Sequence, residues 1–430
     1  MKKALILAYD FPPLISIGAQ RPYSWYKYLP DEGLKITVVT RHWEAAINSS
    51  EDYIKPTASN VVCEENRGRK IIRVPYYPNL RDRLLLKYGA EKLVWLRKIL
   101  SLFYSVFEHL LFLFDAKSNI YFEAEKELGS SKYDLIIATG EPFVLFRYGS
   151  LLAEKFNLPW VADYRDGWTT NQGNYRLNML QKIQLAFFKT RERKYISTAL
   201  VVTTASPDYA KSLAENFVNK NIEVIYNGFD ETVFEKAAEK TFDKNVFYIT
   251  YAGTIYEHQN LEMFLEGVER FVAHYSIPHS SFQVRFFGID GQAVAKKRIQ
   301  KFESLKPYIS FHPRIAYAEI PTLLRQSHIL LLLSSPGADW LNAKIFDYLA
   351  AERCILLVQN DKGILEKMIK DNTAGYAADS VDDVKNILNT QFENFKSGKN
   401  FSGSAANTYR MFSRKAQAVR FAELIKSTIK

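Results

Sequence analysis

Short apolar runs separated by helical stretches set the pattern of this chain. Short, largely apolar segments at residues 4–9, 36–40, 71–77, 134–139, 160–164 and 199–204 read as strands in the first half. Their apolar character on both faces suits a parallel sheet covered by helices. The pattern restarts at 246–253 and continues at 282–288, 309–312, 328–334 and 354–358, with helical periodicity over 259–273 and 320–327. Two successive series of this kind predict an α/β fold of two Rossmann-like, doubly wound domains. The join falls near 225–234, where Asn227-Gly228 is a turn signal and 236–244 is charged and weakly apolar. The expected limits are 1–226 and 227–410. A final helix, 411–430, is a candidate for crossing back onto the first domain.

Length agrees with that division, since 430 residues suit two domains. A hydrophobic content of 47% supplies two large cores. The first apolar run is ended by Asp10 and Pro12-Pro13, so it reads as a buried strand rather than a signal peptide. No uncharged apolar run reaches the ~18 residues a membrane span needs. Only Cys63 and Cys354 are present, which excludes a disulfide framework and a zinc site and points to the reducing cytoplasm.

Charge is concentrated rather than spread. The net charge is +10, and residues 67–98 alone carry ten basic side chains against Asp82 and Glu91, a net +8. A uniformly basic nucleic-acid binder has no such pattern, so no nucleic-acid partner is expected. The adjoining segment 93–115 is long, aromatic and apolar, but Arg97, Lys98, Glu108 and His109 interrupt it. Those residues disfavour a spanning helix. Two placements remain for 93–115, the second making 67–115 a membrane-facing segment. One is a buried connecting helix. In the other, Trp95, Phe103 and Phe107 enter a membrane interface while the basic side chains meet anionic head groups. The basic stretch 176–194 would widen that face.

Candidate chemistry gathers at strand ends and one helix start. Lys344 lies three residues before Asp347 and shares its helix face, near a terminus whose free N–H groups favour anions. Arg314 follows a strand on the side where such sheets bind ligands. Gly18 and Arg21 open a helix after the first strand, and Glu141 follows another strand. Asp163, Arg165 and Asp166 place charged groups beyond a third. Each has a plainer alternative: a surface lysine, a solvated helix acid, or an Arg–Asp pair bracing a loop.

Residues 8–25, 159–168, 224–230, 251–256 and 343–358 together resemble the retaining glycosyltransferases of family four. The resemblance implies the GT-B fold of two facing Rossmann-like domains. It implies a nucleotide-sugar donor in the second domain and an acceptor in the first. Asp339 and Asp347 stand where the family has Glu-x7-Glu, so Asp347 would hold the ribose and Asp339 the sugar. The family's Gly-Arg-x4-Lys pattern reads Gly253, Thr254 and Gln259 here, with both basic positions lost. Thr254 and Gln259 retain hydrogen-bonding capacity, and Arg314 is the leading replacement cation. Gly18, Arg21 and Glu141 would line the acceptor site. Asp163, Arg165 and Asp166 would bind or help deprotonate an acceptor hydroxyl.

No Asp-x-Asp pair, P-loop or GxGxxG occurs, so neither metal nor cofactor is expected. The implied function is retaining transfer to a lipid-linked or polysaccharide acceptor of a bacterial surface glycan, at the inner face of the cell membrane. A nucleotide-sugar epimerase on the same fold is one alternative. A non-catalytic scaffold at the membrane, motivated by the lost basic pair, is another.

Overall fold

A computed structural model describes residues 2–44, 47, 51–57, 60–110, 115–170, 178–237, 243–337, 341–399 and 408–429. The chain divides into two compact units. One comprises Met1–Asn227 with Gln417–Lys430, and the other Gly228–Ala416.

The first unit holds an eight-stranded sheet: β1 Lys2–Ala8, β2 Leu34–Arg41, β3 Val62–Asn66, β4 Arg69–Val74, β5 Leu135–Gly140, β6 Trp160–Tyr164, β7 Val201–Thr204 and β8 Ile222–Val224. Its order is β3-β4-β2-β1-β5-β6-β7-β8. All pairs are parallel except β3 with β4, which is antiparallel. Alternation along β1 supplies two cores. Leu5 and Leu7 enter one apolar cluster, while Ala4, Ile6 and Ala8 enter another. Each fully buried Leu or Ile contributes roughly 1.5–3 kcal/mol, which fixes the register of this central strand. The last helix, Arg414–Thr428, lends Ala418, Phe421, Ala422 and Ile425 to the second of these clusters. Phe421 packs on Trp25 with ring centroids 4.7 Å apart.

The helix Val94–Phe107 departs from the buried placement open to segment 93–115. None of its residues is buried. Residues 111–114 of that segment lie outside the described residues. Among the described residues no helix is long and apolar enough to cross a membrane.

The second unit holds a six-stranded parallel sheet: β9 Phe247–Ala252, β10 Phe282–Phe287, β11 Ile309–His312, β12 Ile329–Leu333, β13 Cys354–Val358 and β14 Gly375–Ala378. Its order is β11-β10-β9-β12-β13-β14. Phe247, Ile249 and Tyr251 of β9 and Ile329, Leu331 and Leu333 of β12 enter one large cluster with helix Leu261–His274.

Both sheets reverse their winding direction once. The reversal falls between β1 and β5 in the first and between β9 and β12 in the second. Crossovers leave such a point in opposite directions, so a crevice opens beyond the carboxyl ends of the two strands. The charged side chains of interest collect at these two positions.

Candidate active site

In the second unit the crevice beyond β9 is built around Lys344, the first residue of the helix Lys344–Ala351. Asn342 accepts the Lys344 backbone N–H through its side-chain oxygen and so orders the helix start. The Lys344 ammonium donates to the Tyr251 hydroxyl at 2.7 Å and lies 4.0 Å from that ring's centre. A longer bond, 3.5 Å, reaches the carbonyl of Thr254. Gly253 makes this path possible. It has φ 115°, and a Cβ there would fall 2.9 Å from Lys344 Cε. Gly288, with φ 78°, ends β10 beside it and leaves the backbone of Arg314 close by.

No carboxylate pairs with Lys344 or Arg314 among the described residues. Arg314 is exposed. Enclosure pulls Lys344 down to about 7, and the guanidinium of Arg314 pushes the same way. Two cations without a counter-ion among the described residues, beside glycine backbone and a helix start, form a place for an anion. The carboxyl of Asp347 is one helical turn from Lys344. It accepts the Tyr317 hydroxyl at 3.0 Å. Burial pushes it up to about 6, while Arg414 opposes that shift and Asp230 adds to it. Arg414 lies 3.8 Å from Asp230 and over the Tyr317 ring.

Gln259 is used differently from the expectation. Its side chain is buried, donates to the Leu333 carbonyl at 2.9 Å and accepts the Tyr256 N–H. It therefore ties the loop after β9 to the end of β12 instead of pointing at a ligand. Arg298 holds the same loop through the Gln259 carbonyl at 2.6 Å and the Glu262 carboxylate. Thr254 contributes its backbone carbonyl, which accepts both Tyr251 and Lys344. Asp339 lies outside the described residues.

In the first unit the crevice beyond β1 and β5 carries one arginine among three acids. Arg165 donates to Asp166 at 2.9 Å and to Asp10 at 3.1 Å, and lies 3.6 Å from Glu141. Burial raises the carboxyls of both Asp10 and Glu141 above their usual range, against the pull of Arg165. Gly18 is required for this approach. A Cβ there would fall 1.8 Å from Arg165 Nη1 and 2.5 Å from Asp10 Oδ2.

Asp163 and Arg21 depart from their expected places. Asp163 is fully enclosed in β6, and its Oδ1 accepts Arg21 Nη2 at 2.7 Å and Thr203 at 2.6 Å. Arg21 is equally enclosed and also donates to the Ile225 carbonyl at 2.6 Å. The pair braces helix Ile17–Tyr28 against the sheet and the 225–227 turn. Solvent exclusion leaves neither group free for an acceptor.

The sequence alone marks Asp10 only as the end of an apolar run, because its partner Arg165 lies 155 residues away. Its position directly after a buried strand was the available signal. Tyr251 and Tyr317 look like ordinary core aromatics and gave none. Among the described residues no group of three or more His, Cys, Asp or Glu side chains is placed to hold a metal ion.

The sequence profile described as Glycosyltransferase Family 4 matches residues 21–233. The chain belongs to glycosyltransferase family 4. Among curated proteins, none matches it in sequence. Solved structures match along almost the whole chain. Sucrose-phosphate synthase from Thermosynechococcus elongatus has a TM-score of 0.64 at 14% identity, covering 99% of this chain and 99% of its own. Anabaena HepE, determined with UDP and glucose, has a TM-score of 0.58 at 12% identity, covering 99% and 100%. A trehalose-6-phosphate protein from E. coli, bound with UDP-2-fluoro glucose, has a TM-score of 0.57 at 12% identity, covering 99% and 96%. At these identities the likeness establishes the fold, and this family 4 chain has the GT-B fold.

Proposed function

We propose that this family 4 glycosyltransferase takes its sugar, with retention of configuration, from a nucleoside diphosphate sugar held in the second unit. The observation that carries the reading is the pair of cations, Lys344 and Arg314, that no carboxylate among the described residues neutralises, at the winding reversal beside Gly253 and Gly288. Glycosyl transfer builds negative charge on the departing diphosphate, and fixed cations stabilise that charge without reorganising. Arg314 and Lys344 thus supply the two charges that the family's basic pair would bring to the positions of Thr254 and Gln259. Asp347 accepts the ribose hydroxyls, and Asp339 is assigned to the hydroxyls of the donor sugar. The structures with UDP and glucose, and with UDP-2-fluoro glucose, support a donor of this class.

The acceptor hydroxyl is assigned to the first unit, against Asp166 and Glu141, with Asp10 and Arg165 holding the cluster. A carboxyl with a raised proton affinity, next to an exposed one, suits proton removal from a sugar hydroxyl. The acceptor is a lipid-linked or growing surface glycan, met at the inner face of the cell membrane.

Calorimetric titration with UDP, GDP and dTDP tests the donor site. One of the three is expected to bind, and Lys344→Ala or Asp347→Ala is expected to abolish that binding. Equal affinity in both variants removes this site from the reading. Transfer to an acceptor, rather than epimerisation without one, separates the reading from its enzymatic rival.

A further inference from the structure

The helix Val94–Phe107 has no buried residue although most of its side chains are apolar. A solvated helix of this composition is costly unless something covers it. Trp95 is 66% exposed, and Ile99, Leu102 and Phe103 are exposed beside it. Their spacing places all four on one face. The body of the unit is met elsewhere on the helix, where Tyr104 and Ser105 contact neighbours. Tyr104 accepts the Leu80 N–H through its hydroxyl. Gln184 of helix Met179–Ile196 donates to Ser105 at 3.1 Å. That bond joins the two helices at one point. The second helix begins with its own exposed apolar residues, Met179, Leu180 and Ile183.

Lysines edge the apolar residues. Lys92, Lys98 and Lys182 are exposed and have no ion pair among the described residues. The segment 67–98 that leads into this helix carries the net +8. A second copy of the chain would bring the same positive charge to the same surface, which opposes self-pairing. An anionic bilayer offers the complementary charge together with an apolar interior.

We propose that this face docks on an anionic lipid bilayer, the Trp95, Ile99 and Phe103 side chains entering the acyl boundary and Lys92, Lys98 and Lys182 meeting phosphate head groups. The proposal rests on the membrane placement in the proposed function and names the elements that carry it. Its test requires no sugar transfer.

Sedimentation of the full chain with vesicles decides it. Vesicles of about one-third phosphatidylglycerol in phosphatidylcholine are expected to capture the protein at low salt. Vesicles of phosphatidylcholine alone are expected to capture far less. Raising salt weakens the attraction to phosphatidylglycerol. The variant Trp95→Ser/Ile99→Ser/Phe103→Ser is expected to lose capture, and Lys92→Gln/Lys98→Gln to weaken it roughly tenfold. Neither variant removes a buried side chain, so the urea midpoint and nucleotide binding stay as in the parent chain. Absence of capture by phosphatidylglycerol vesicles at low salt overturns the proposal, as does equal capture of parent and variants. Self-association that the apolar variant abolishes, without vesicle binding, overturns it in favour of a second copy. Vesicle binding in a chain that binds no nucleotide would leave this proposal standing and remove the donor reading.

Discussion

The ammonium of Lys344 is answered by the phenol of Tyr251 at 2.7 Å, and by no carboxylate among the described residues. A half-buried cation held by a neutral oxygen is under-compensated. The guanidinium of Arg314 repels it. Such an arrangement is unfavourable in the empty protein and favourable once an anion arrives, which is how a binding group differs from a bracing one.

Replacement of Lys344 should therefore separate stability from binding. Its proton affinity is lowered in the folded chain to about 7, below the ordinary lysine value. The resulting penalty is fully present below pH 7 and disappears as pH rises past the unfolded value near 10.4. Lys344→Met is expected to raise stability by about 1 kcal/mol at pH 6, read from urea unfolding, because the side chain is only partly enclosed. The same variant should bind a nucleoside diphosphate more than tenfold more weakly in calorimetry.

Diphosphate affinity should follow a bell-shaped pH profile. Binding an anion raises the Lys344 proton affinity again, so binding takes up a proton once the free protein has lost it, and affinity falls above pH 7. Asp347 accepts hydroxyls as a carboxylate and is pushed up to about 6 in the free protein, so affinity falls below pH 6. Titration across pH 5 to 9 reads both limbs, and Asp347→Asn should remove the acidic one alone.

Gly18→Ala should impair catalysis more than folding. The added methyl meets the flexible ends of Arg165 and Asp10 rather than backbone. Those side chains must swing aside, which disperses the cluster with Glu141 and Asp166. A drop in kcat of at least tenfold, with a change in unfolding free energy under about 1 kcal/mol, is expected. Both are read from one preparation by initial rates and a urea melt.

Arg21→Met should do the opposite. It strands the enclosed Asp163 carboxylate, which costs about 3–5 kcal/mol. The loss appears in the urea midpoint, and exchange protection of helix Ile17–Tyr28 should fall with it.

The strands that escaped the sequence reading have one thing in common. β3, β8 and β14 all lie at sheet edges. β3 is exposed at every residue, and β8 has only three. These three lack the two-sided apolar run that marks β5, β12 or β13, whereas β11, also at an edge, keeps Ile309 and Phe311 and shows in the pattern at 309–312. The candidate sites divide in a similar way. Lys344 and Asp347 share a face through helical periodicity, a local rule. Asp163 was read as a group beyond its strand because nothing near it in sequence indicates Arg21, 142 residues away. Gln259 was read as a ligand group for the same reason, its partner Leu333 being 74 residues distant.

The return of Gln417–Lys430 to the first unit has a consequence for how the protein is made. Phe421, Ala422 and Ile425 complete a cluster begun by Ala4 and Ile6, so that layer stays open until the segment carrying them has been translated. The second unit is complete earlier, its two ends already joined by the Phe229 and Ser413 bridge. The half of the enzyme translated first is thus the half that matures last.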